Sequence, residues 1–265
     1  MIIYLNCYAM PELPDLQVFA RNLSKLFKGE TLSKIKVTVP KKLNVPETKL
    51  QSALEGEILT DIERVGKELQ LKFKNDHVLA LHMMLHGELK LFDQTNEHKF
   101  TIIELHFKNG KGLALTDFQN AATPTLDPEV SGVPDALAID FTELRDKLAA
   151  KHSPVKTVLM DQKVIRGIGN AYADEVLYDA AISPFSVSNK IPEAKVKILL
   201  KSIVSVLKDA EERILKERPG IVGGEVRDFL KVHQPKKKET DAGEPILQKP
   251  VGSRKTYYTD KQVLY

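Results

Sequence analysis

Residues 159–175 read L-M-D-Q-K-V-I-R-G-I-G-N-A-Y-A-D-E, and this stretch decides the fold class. Gly167 and Gly169 allow a sharp turn and a close approach of backbone, and Asn170 is expected to open the next helix as its N-cap. The stretch therefore predicts two helices joined by a tight corner. A corner in an ordinary packed helical bundle has the same local pattern, so the tetrapeptide G-I-G-N is weak evidence taken alone.

Helical spacing continues on both sides of this corner. Apolar residues recur at helical intervals in 141–151, in V-K-T-V-L-M-D ahead of the glycines and in 192–217, and Pro219 with Gly220 ends the last of these patterns. The C-terminal half is therefore predicted to be mainly helical, with short extended pieces from residue 230 onward.

Towards the N-terminus the hydrophobic period changes from helical to alternating. Residues 14–29 form a predicted amphipathic helix that stops at Gly29. From about residue 30 to 118 the chain alternates in T-L-S-K-I-K-V-T-V, E-L-Q-L-K-F, H-V-L-A-L-H, E-L-K-L-F, T-I-I-E-L-H-F and G-L-A-L-T-D-F. K-N-D at 74–76 and K-N-G-K at 108–111 are typical of hairpin connections, which predicts a mostly antiparallel sandwich or barrel. Residues 122–139 contain three prolines and no sustained period, and are typical of an interdomain linker.

Composition and charge limit the functional classes. The 265 residues are 42% hydrophobic, enough to bury a core, and no apolar run approaches a membrane span, so we expect an intracellular chain without membrane contact. Cys7 is the single cysteine, which excludes a disulfide framework and any zinc site with two thiolates. The net charge of +3 combines +3 over residues 151–170, +4 over 231–265 and −4 elsewhere. Two basic segments on an acidic body suit a polyanion, although Lys236–Lys238 alone could be a solvated loop tip.

Two motifs together carry a family resemblance. M-P-E-L-P-D at 10–15 and the run 159–175 resemble the formamidopyrimidine-DNA glycosylase and endonuclease VIII family of base-excision repair enzymes. The likeness continues through V-G-K at 65–67, H-M-M-L-H-G at 82–87, a T-D-F turn and R-K-T-Y-Y at 254–258. It implies an α+β fold: an N-terminal helix plus a two-layered antiparallel β-sandwich, then a helix–two-turn–helix domain with a terminal β-hairpin finger.

The resemblance also assigns domains. The expected division is an extension at 1–9 that is mis-assigned or removed, a catalytic β-sandwich domain at 10–125, a linker at 126–140, a helix–two-turn–helix DNA-binding domain at 141–229 and a finger at 230–265.

By the same resemblance the chain is expected to be a monomeric DNA glycosylase that acts on damaged double-stranded DNA without a cofactor. It would remove oxidised bases and then cut the strand by β,δ-elimination as an AP lyase, in the cytoplasm and associated with the nucleoid. If Met10 is the true start, methionine removal makes Pro11 a secondary amine that attacks the sugar C1′ and forms an iminium. Glu12 would serve as the acid and base beside it. The remaining catalytic residues implied are Lys67 and Arg254, each on a phosphate.

The DNA-binding residues implied by the likeness or by local charge come from both halves of the chain. Exposed N–H groups at the corner, beside Lys163 and Arg166, suit a phosphate. The full expected set is Asn170, Arg166, Lys163, Lys156, Leu85, Gln119, Asn120 and Lys255. From the alternating pattern alone, Lys67 would instead be a solvent-facing strand lysine.

Two departures from the family pattern are visible. The finger usually binds zinc through two C-x-x-C pairs, but the aligned positions are Glu239 and Ala242, then Thr259 and Gln262. A finger without metal is expected, with its two tyrosines, 257 and 258, providing the packing that a metal otherwise replaces.

The second departure concerns the wedge, the side chain that fills the space left in the DNA duplex when the damaged nucleotide rotates out of it. Leu85 stays a candidate wedge, while Gln119, Asn120 and Ala121 stand in place of the usual cationic and aromatic residues, which weakens discrimination for cytosine opposite the lesion. The loop 218–227 is short, and we expect oxidised pyrimidines, formamidopyrimidines or ring-opened lesions in preference to 8-oxoguanine.

Two alternatives stay open. If residues 1–9 are retained, Pro11 is an internal imide nitrogen, and the chain would be a non-catalytic binder of damaged DNA. An unrelated helix–turn–helix DNA- or RNA-binding protein would explain the basic C-terminal half, but leaves M-P-E-L-P-D and Lys67 without a role.

Overall fold

The computed structural model describes residues 10–265, so the expected extension at 1–9 lies outside the described residues. The chain divides into two compact units. The first unit contains residues 10–11, 15–130 and 215–225, and the second contains 12–14, 131–214 and 226–265. The chain therefore passes from the first unit to the second within the M-P-E-L-P-D motif.

The first unit consists mainly of strands, with one helix before the first strand and another between the first and second strands. Its elements are α1 (Leu13–Phe27, of which residues 13–14 belong to the second unit), β1 (Leu32–Val37), α2 (Glu47–Leu54), β2 (Leu59–Val65), β3 (Glu68–Phe73), β4 (Val78–His82), β5 (Glu88–Asp93), β6 (Thr101–Phe107), β7 (Lys111–Thr116) and β8 (Thr123–Leu126).

The strands form two four-stranded antiparallel sheets. One has the order β1-β6-β7-β5 and the other β2-β3-β4-β8. Alternation places one face of each strand in the core, as in β3, where Leu69, Leu71 and Phe73 are buried. The stripe of α1 that includes Phe19 and Phe27 packs into the same core, with Phe27 stacked on Phe107 of β6 at 4.4 Å between ring centroids.

The second unit is helical with a terminal hairpin. Its elements are α3 (Phe141–Ala149), α4 (Val155–Met160), α5 (Asn170–Asp179), α6 (Glu193–Glu217, whose last residues belong to the first unit), β9 (Leu247–Val251) and β10 (Arg254–Tyr258). Asp140 begins α3 with a capping box in which its side chain accepts the Glu143 N–H. A separate hydrophobic core joins the helices around Tyr172, which is fully buried. The predicted fold class is confirmed.

Some local predictions were wrong or incomplete. The proline-containing segment 122–139 is not linker throughout, because Thr123–Leu126 form β8 and pair with β4. The alternating runs did not include β2, and α2 was not predicted. Within residues 10–265, no helix combines the length and the apolar character that a membrane crossing requires.

Candidate functional site

The side chain of Glu12 joins the two motifs on which the family resemblance rests. Its carboxylate accepts the backbone N–H groups of Gly169 at 2.8 Å, Ala171 at 2.9 Å and Tyr172 at 3.2 Å. Glu12 is 4% exposed. An anion at a helix N-terminus, bound by N–H groups that have no partner inside the helix, is electrostatically favourable. The acidic residue of M-P-E is thereby fixed at the start of α5.

The two glycines of G-I-G-N are explained by this contact. A Cβ on Gly169 would lie 2.3 Å from the carboxyl carbon of Glu12, and one on Gly167 would lie 2.6 Å from a methyl carbon of Leu13. Gly167 also has a φ of +105°, which favours glycine, and its carbonyl accepts the Leu13 N–H. Glycine is therefore needed at both positions for residues 12 and 13 to approach the corner.

This geometry corrects two predictions about the corner. Asn170 is not the N-cap of α5: Gly169 is the cap and Asn170 is the first helical residue. The N–H groups at the helix start bind the carboxylate of Glu12, so they are not exposed for a phosphate. Arg166 is half-buried and its Nε donates to the carbonyl of Val133 at 2.7 Å, whereas Lys163 is exposed.

Asn170 contacts the terminal hairpin. Its Nδ2 donates to the carbonyl of Lys255 at 3.2 Å, while its Oδ1 is buried and has no hydrogen-bond partner among residues 10–265. Arg254 and Lys255 are both exposed and follow the Gly252–Ser253 turn, where Gly252 has a φ of +58°. The structure therefore brings Asn170 and Lys255 together, and places Arg254 at the tip of the hairpin.

Lys156 is not a surface DNA contact, contrary to the prediction. Its side chain is fully buried, and its Nζ lies 2.7 Å from Asp174 Oδ1 and 2.8 Å from Thr256 Oγ1. The same Nζ donates to the Lys255 carbonyl at 3.3 Å. Burial lowers the pKa of Lys156, and the charge of Asp174 opposes that shift. Lys156 of α4 therefore contacts both α5 and β10, the hairpin strand that begins at Arg254.

Two acidic residues of α5 anchor the finger, at its first residues and at β10. Asp174 Oδ2 lies 2.7 Å from His233 Nδ1 and accepts the Tyr257 N–H at 3.0 Å. Glu175 accepts three backbone N–H groups, from residues 231, 232 and 233. Burial raises the pKa of Glu175, more strongly than these hydrogen bonds lower it. Sequence analysis did not identify Asp174, because its partners lie far away along the chain.

The positions aligned with zinc ligands do not suit zinc. Gln262 Oε1 accepts the Thr259 N–H at 2.8 Å, and Gln262 Nε2 donates to the Ile182 carbonyl at 2.8 Å. Glu244 pairs with Lys261 at 2.8 Å, and this hydrogen bond is the main cause that lowers the pKa of Glu244. No group of three or more candidate metal ligands occurs within residues 10–265. Hydrogen bonds and one ion pair stabilise this part of the finger.

Both finger tyrosines pack against aromatic rings. Tyr257 meets the His233 ring edge-on at 4.8 Å between centroids, and Tyr258 meets Phe185 in the same way at 5.0 Å.

In the first unit, Pro11 is buried and Lys67 lies in a turn. Gly66 and Lys67 form the two-residue connection between β2 and β3, and Gly66 has a φ of +60°. The strand-lysine interpretation of Lys67 is therefore wrong. Glu68, the residue after Lys67, is opposite His82 at the end of β4, so the turn lies beside the segment 82–87. Burial lowers the pKa of His82, and the charge of Lys67 adds to that shift.

The remaining predicted DNA contacts lie on loops of the first unit. Leu85 and Gln119 are exposed, and Asn120 is half-buried with a φ of +51°. The loop of Gln119 is held by Asp117, whose carboxylate accepts the N–H groups of residues 119, 121 and 122, each at 2.8 Å.

The chain combines a β-sandwich unit with a helix–two-turn–helix unit that ends in a hairpin. It passes between the two units within a P-E motif, and the glutamate of that motif binds the G-I-G-N corner. This combination is typical of a class of DNA-repair glycosylases. The Formamidopyrimidine-DNA glycosylase N-terminal domain matches residues 10–123, and the Formamidopyrimidine-DNA glycosylase H2TH domain matches residues 132–216. The chain belongs to the formamidopyrimidine-DNA glycosylase family.

Similar proteins cover nearly the whole chain. A formamidopyrimidine-DNA glycosylase of Idiomarina loihiensis is 31% identical over 84% of this chain and 83% of its own length. One of Mycoplasma mobile is 27% identical over 95% of this chain and 98% of its own. Among solved structures, a Lactococcus lactis Fpg in complex with FAPY-dG-containing DNA has a TM-score of 0.82 at 25% identity, covering 94% of this chain and 98% of that one. An LlFpg complex with THF-DNA and an inhibitor has a TM-score of 0.84 at 25% identity, covering 96% and 100%.

Proposed function

We propose that this chain is a bifunctional DNA glycosylase and AP lyase of base excision repair, with Pro11 as nucleophile and Glu12 as acid and base. The observation that carries the proposal is the binding of the Glu12 carboxylate by three N–H groups at the start of α5. This contact fixes the residue next to Pro11, so a substrate sugar attacked by Pro11 would meet a positioned proton donor and acceptor.

In the proposed reaction the Pro11 nitrogen attacks C1′ of the damaged nucleotide, and the N-glycosidic bond breaks with release of the base. Glu12 takes the proton that the Pro11 nitrogen loses and gives it to the sugar ring oxygen as the ring opens, which leaves an iminium between Pro11 and C1′. The departing base takes its proton from solvent. The iminium acidifies the neighbouring sugar carbon, so loss of a proton there expels the 3′ phosphate, and a second elimination expels the 5′ phosphate. Hydrolysis of the product iminium releases the sugar fragment and regenerates the amine.

Other residues are proposed to hold the DNA backbone. Lys67 in its hairpin turn and Arg254 at the finger tip each offer an exposed or half-exposed cation to a phosphate, and Arg254 can do so bidentately. Lysines 163 and 255 and the wedge candidates Leu85, Gln119 and Asn120 stay DNA contacts in this proposal. Lys156 and Asn170 are proposed to position the strand that bears Arg254. Damaged duplex DNA is the proposed partner, and a monomeric state and a nucleoid-associated location remain part of the proposal.

The test compares a chain that starts at Met10 with the full 265-residue chain. Mass determination of the purified proteins shows whether proline is exposed, and borohydride reduction in the presence of DNA with an abasic site traps any iminium as a covalent adduct. We expect an adduct from the proline-started protein and none when residues 1–9 remain. No adduct from a verified proline-started protein would reject the mechanism.

The same comparison addresses the alternative of a non-catalytic binder. If native protein retains residues 1–9, binds abasic-site DNA and forms no adduct, the binder is the correct description.

A further inference from the structure

Three loops at one end of the first sheet carry a cluster of exposed apolar side chains. Thr116 at the end of β7 is opposite both Glu88 at the start of β5 and Thr101 at the start of β6. The segments 83–87, 98–100 and 117–122 therefore lie at the same sheet end. They carry Met84, Leu85, Phe100 and Phe118, with exposures of 39%, 48%, 61% and 52%. Both phenylalanines that are exposed within residues 10–265 belong to this cluster.

The cluster is held by backbone hydrogen bonds and contains an aromatic pair. Phe118 packs against His86 with ring centroids 4.8 Å apart and an interplanar angle of 48°. The loop of Phe118 is held by the three N–H groups that Asp117 accepts, and the Asp117 N–H donates to the carbonyl of Phe100 at 2.9 Å. Phe118 is thus kept exposed although burying a phenylalanine is favourable in water, which is typical of a binding surface.

Beside the pair lies a cavity of about 420 Å³, and its lining is suited to a nucleotide. Its walls include both rings of the pair, Phe100, Asp117, Lys99 and Lys90, which forms an ion pair with Glu88 of the same wall. Aromatic rings stack on the face of any base, and a lysine at the rim can meet a phosphate. The Asp117 carboxylate is occupied by its own loop, so it does not provide a fixed acceptor for one particular base edge.

We infer that Phe118, supported by His86, binds the base opposite the lesion by stacking. This inference rests on the proposed function and assigns Phe118 a role in substrate specificity. Leu85, in the neighbouring loop, is proposed to fill the space that the damaged nucleotide leaves. The ring of Phe118 would then contact the base opposite the lesion, which stays in the duplex. Because stacking does not depend on the pattern of donors and acceptors, the enzyme tolerates any of the four bases opposite the lesion.

The direct test places 2-aminopurine opposite a tetrahydrofuran abasic-site analogue in a duplex, which the protein binds but cannot cleave at the sugar C1′. We expect the wild-type protein and Phe118→Tyr to quench the fluorescence of 2-aminopurine by stacking. Phe118→Leu keeps an apolar side chain but loses the ring, and we expect it to bind without quenching. Ile198→Ala, at an exposed apolar residue of α6, is the control and should behave as wild type. Equal quenching by wild type and Phe118→Leu at saturation would overturn the inference.

A second measurement follows excision with cytosine, adenine, guanine or thymine opposite the same lesion. Wild-type kcat/KM should vary by less than about threefold across the four, and Phe118→Leu should lower all four values by about tenfold to a hundredfold, the equivalent of one lost stack. A strong preference of the wild-type protein for one opposite base would overturn the inference. Quenching without excision would instead contradict the proposed catalytic function and leave the stacking role intact.

Discussion

At the scale of single residues, the approach of Glu12 to Gly169 makes a steric prediction. Gly169 has a φ of −121°, so alanine is permitted by the backbone, but its Cβ would lie 2.3 Å from the Glu12 carboxyl carbon. We expect Gly169→Ala to displace the carboxylate, to cost about 1–3 kcal/mol of unfolding free energy through lost hydrogen bonds, and to lower adduct formation strongly. Denaturant unfolding and borohydride trapping measure the two effects.

Gly132→Ala is the matched control, because a Cβ there meets nothing within 4 Å. Gly169→Ala with wild-type stability and trapping would contradict the assigned role of the Glu12 contact.

His82 makes a second residue-scale prediction, which concerns pH. Its Nδ1 accepts the Met84 N–H at 3.1 Å, which requires that nitrogen to be unprotonated. The pKa of His82 is lowered, mainly by burial and further by Lys67, against an opposing effect of Glu68. Because the folded state binds the proton less readily, the stability that His82 contributes is fully present above the unfolded pKa of about 6.5 and is lost as pH falls towards the lowered folded value.

The measurement is the difference in unfolding free energy between wild type and His82→Ala at pH 7.5 and at pH 5.5. We expect the advantage of the wild type to shrink at the lower pH. An advantage that stays constant or grows would show that the Met84 hydrogen bond does not depend on neutral His82.

At the scale of elements, the finger hairpin is anchored by a buried ion pair. Lys156 and Asp174 lie 2.7 Å apart with both side chains fully buried, and Lys156 also binds Thr256 of β10. Removing one partner leaves a buried charge uncompensated, so Lys156→Met should cost about 3–5 kcal/mol of unfolding free energy. The double variant Lys156→Met, Asp174→Leu should be less destabilised than the sum of the two single variants. Additive losses in denaturant unfolding would argue against a coupled pair.

The finger should also be independent of metal. The side chain of Gln262 accepts the backbone N–H of Thr259 where the family pattern has thiolates, and Glu244 pairs with Lys261 nearby. A chelator should therefore leave the thermal unfolding temperature and the affinity for abasic-site DNA unchanged. A fall in either value that zinc reverses would contradict this description of the finger.

Helices and strands were predictable from the sequence where hydrophobic residues recur at one regular spacing over the whole element. The 25-residue α6 and the strands β3–β7 have such periods, and each is present. The four-residue β8 contains a proline, so the sequence favours a linker there, and only its pairing with β4 makes it a strand. Lys156 shows the limit for site residues: its sequence neighbours do not indicate burial, since its partners are 18 and 100 residues away.

At the scale of the whole molecule, the uneven distribution of charge makes the last prediction. Residues 231–265 carry a net charge of +4 within a chain of only +3, and the exposed Arg254 lies in that segment. Each phosphate contact releases counterions, so the logarithm of the DNA association constant should fall linearly with the logarithm of salt concentration, by about 0.9 per phosphate neutralised. Arg254→Gln should reduce that slope by about 1 if Arg254 binds one phosphate.

Lys236→Gln removes the same charge from the same basic segment. Comparing the two variants therefore distinguishes a direct phosphate contact of Arg254 from attraction by the summed charge of the segment. Lys236 is exposed and lies outside the hairpin strands. If residues 236–238 are a solvated loop tip, this variant should leave the slope unchanged in binding titrations between 50 and about 300 mM salt, the range over which counterion release dominates affinity. Equal loss of slope in both variants would mean that the segment attracts DNA through its summed charge, and that Arg254 has no phosphate of its own.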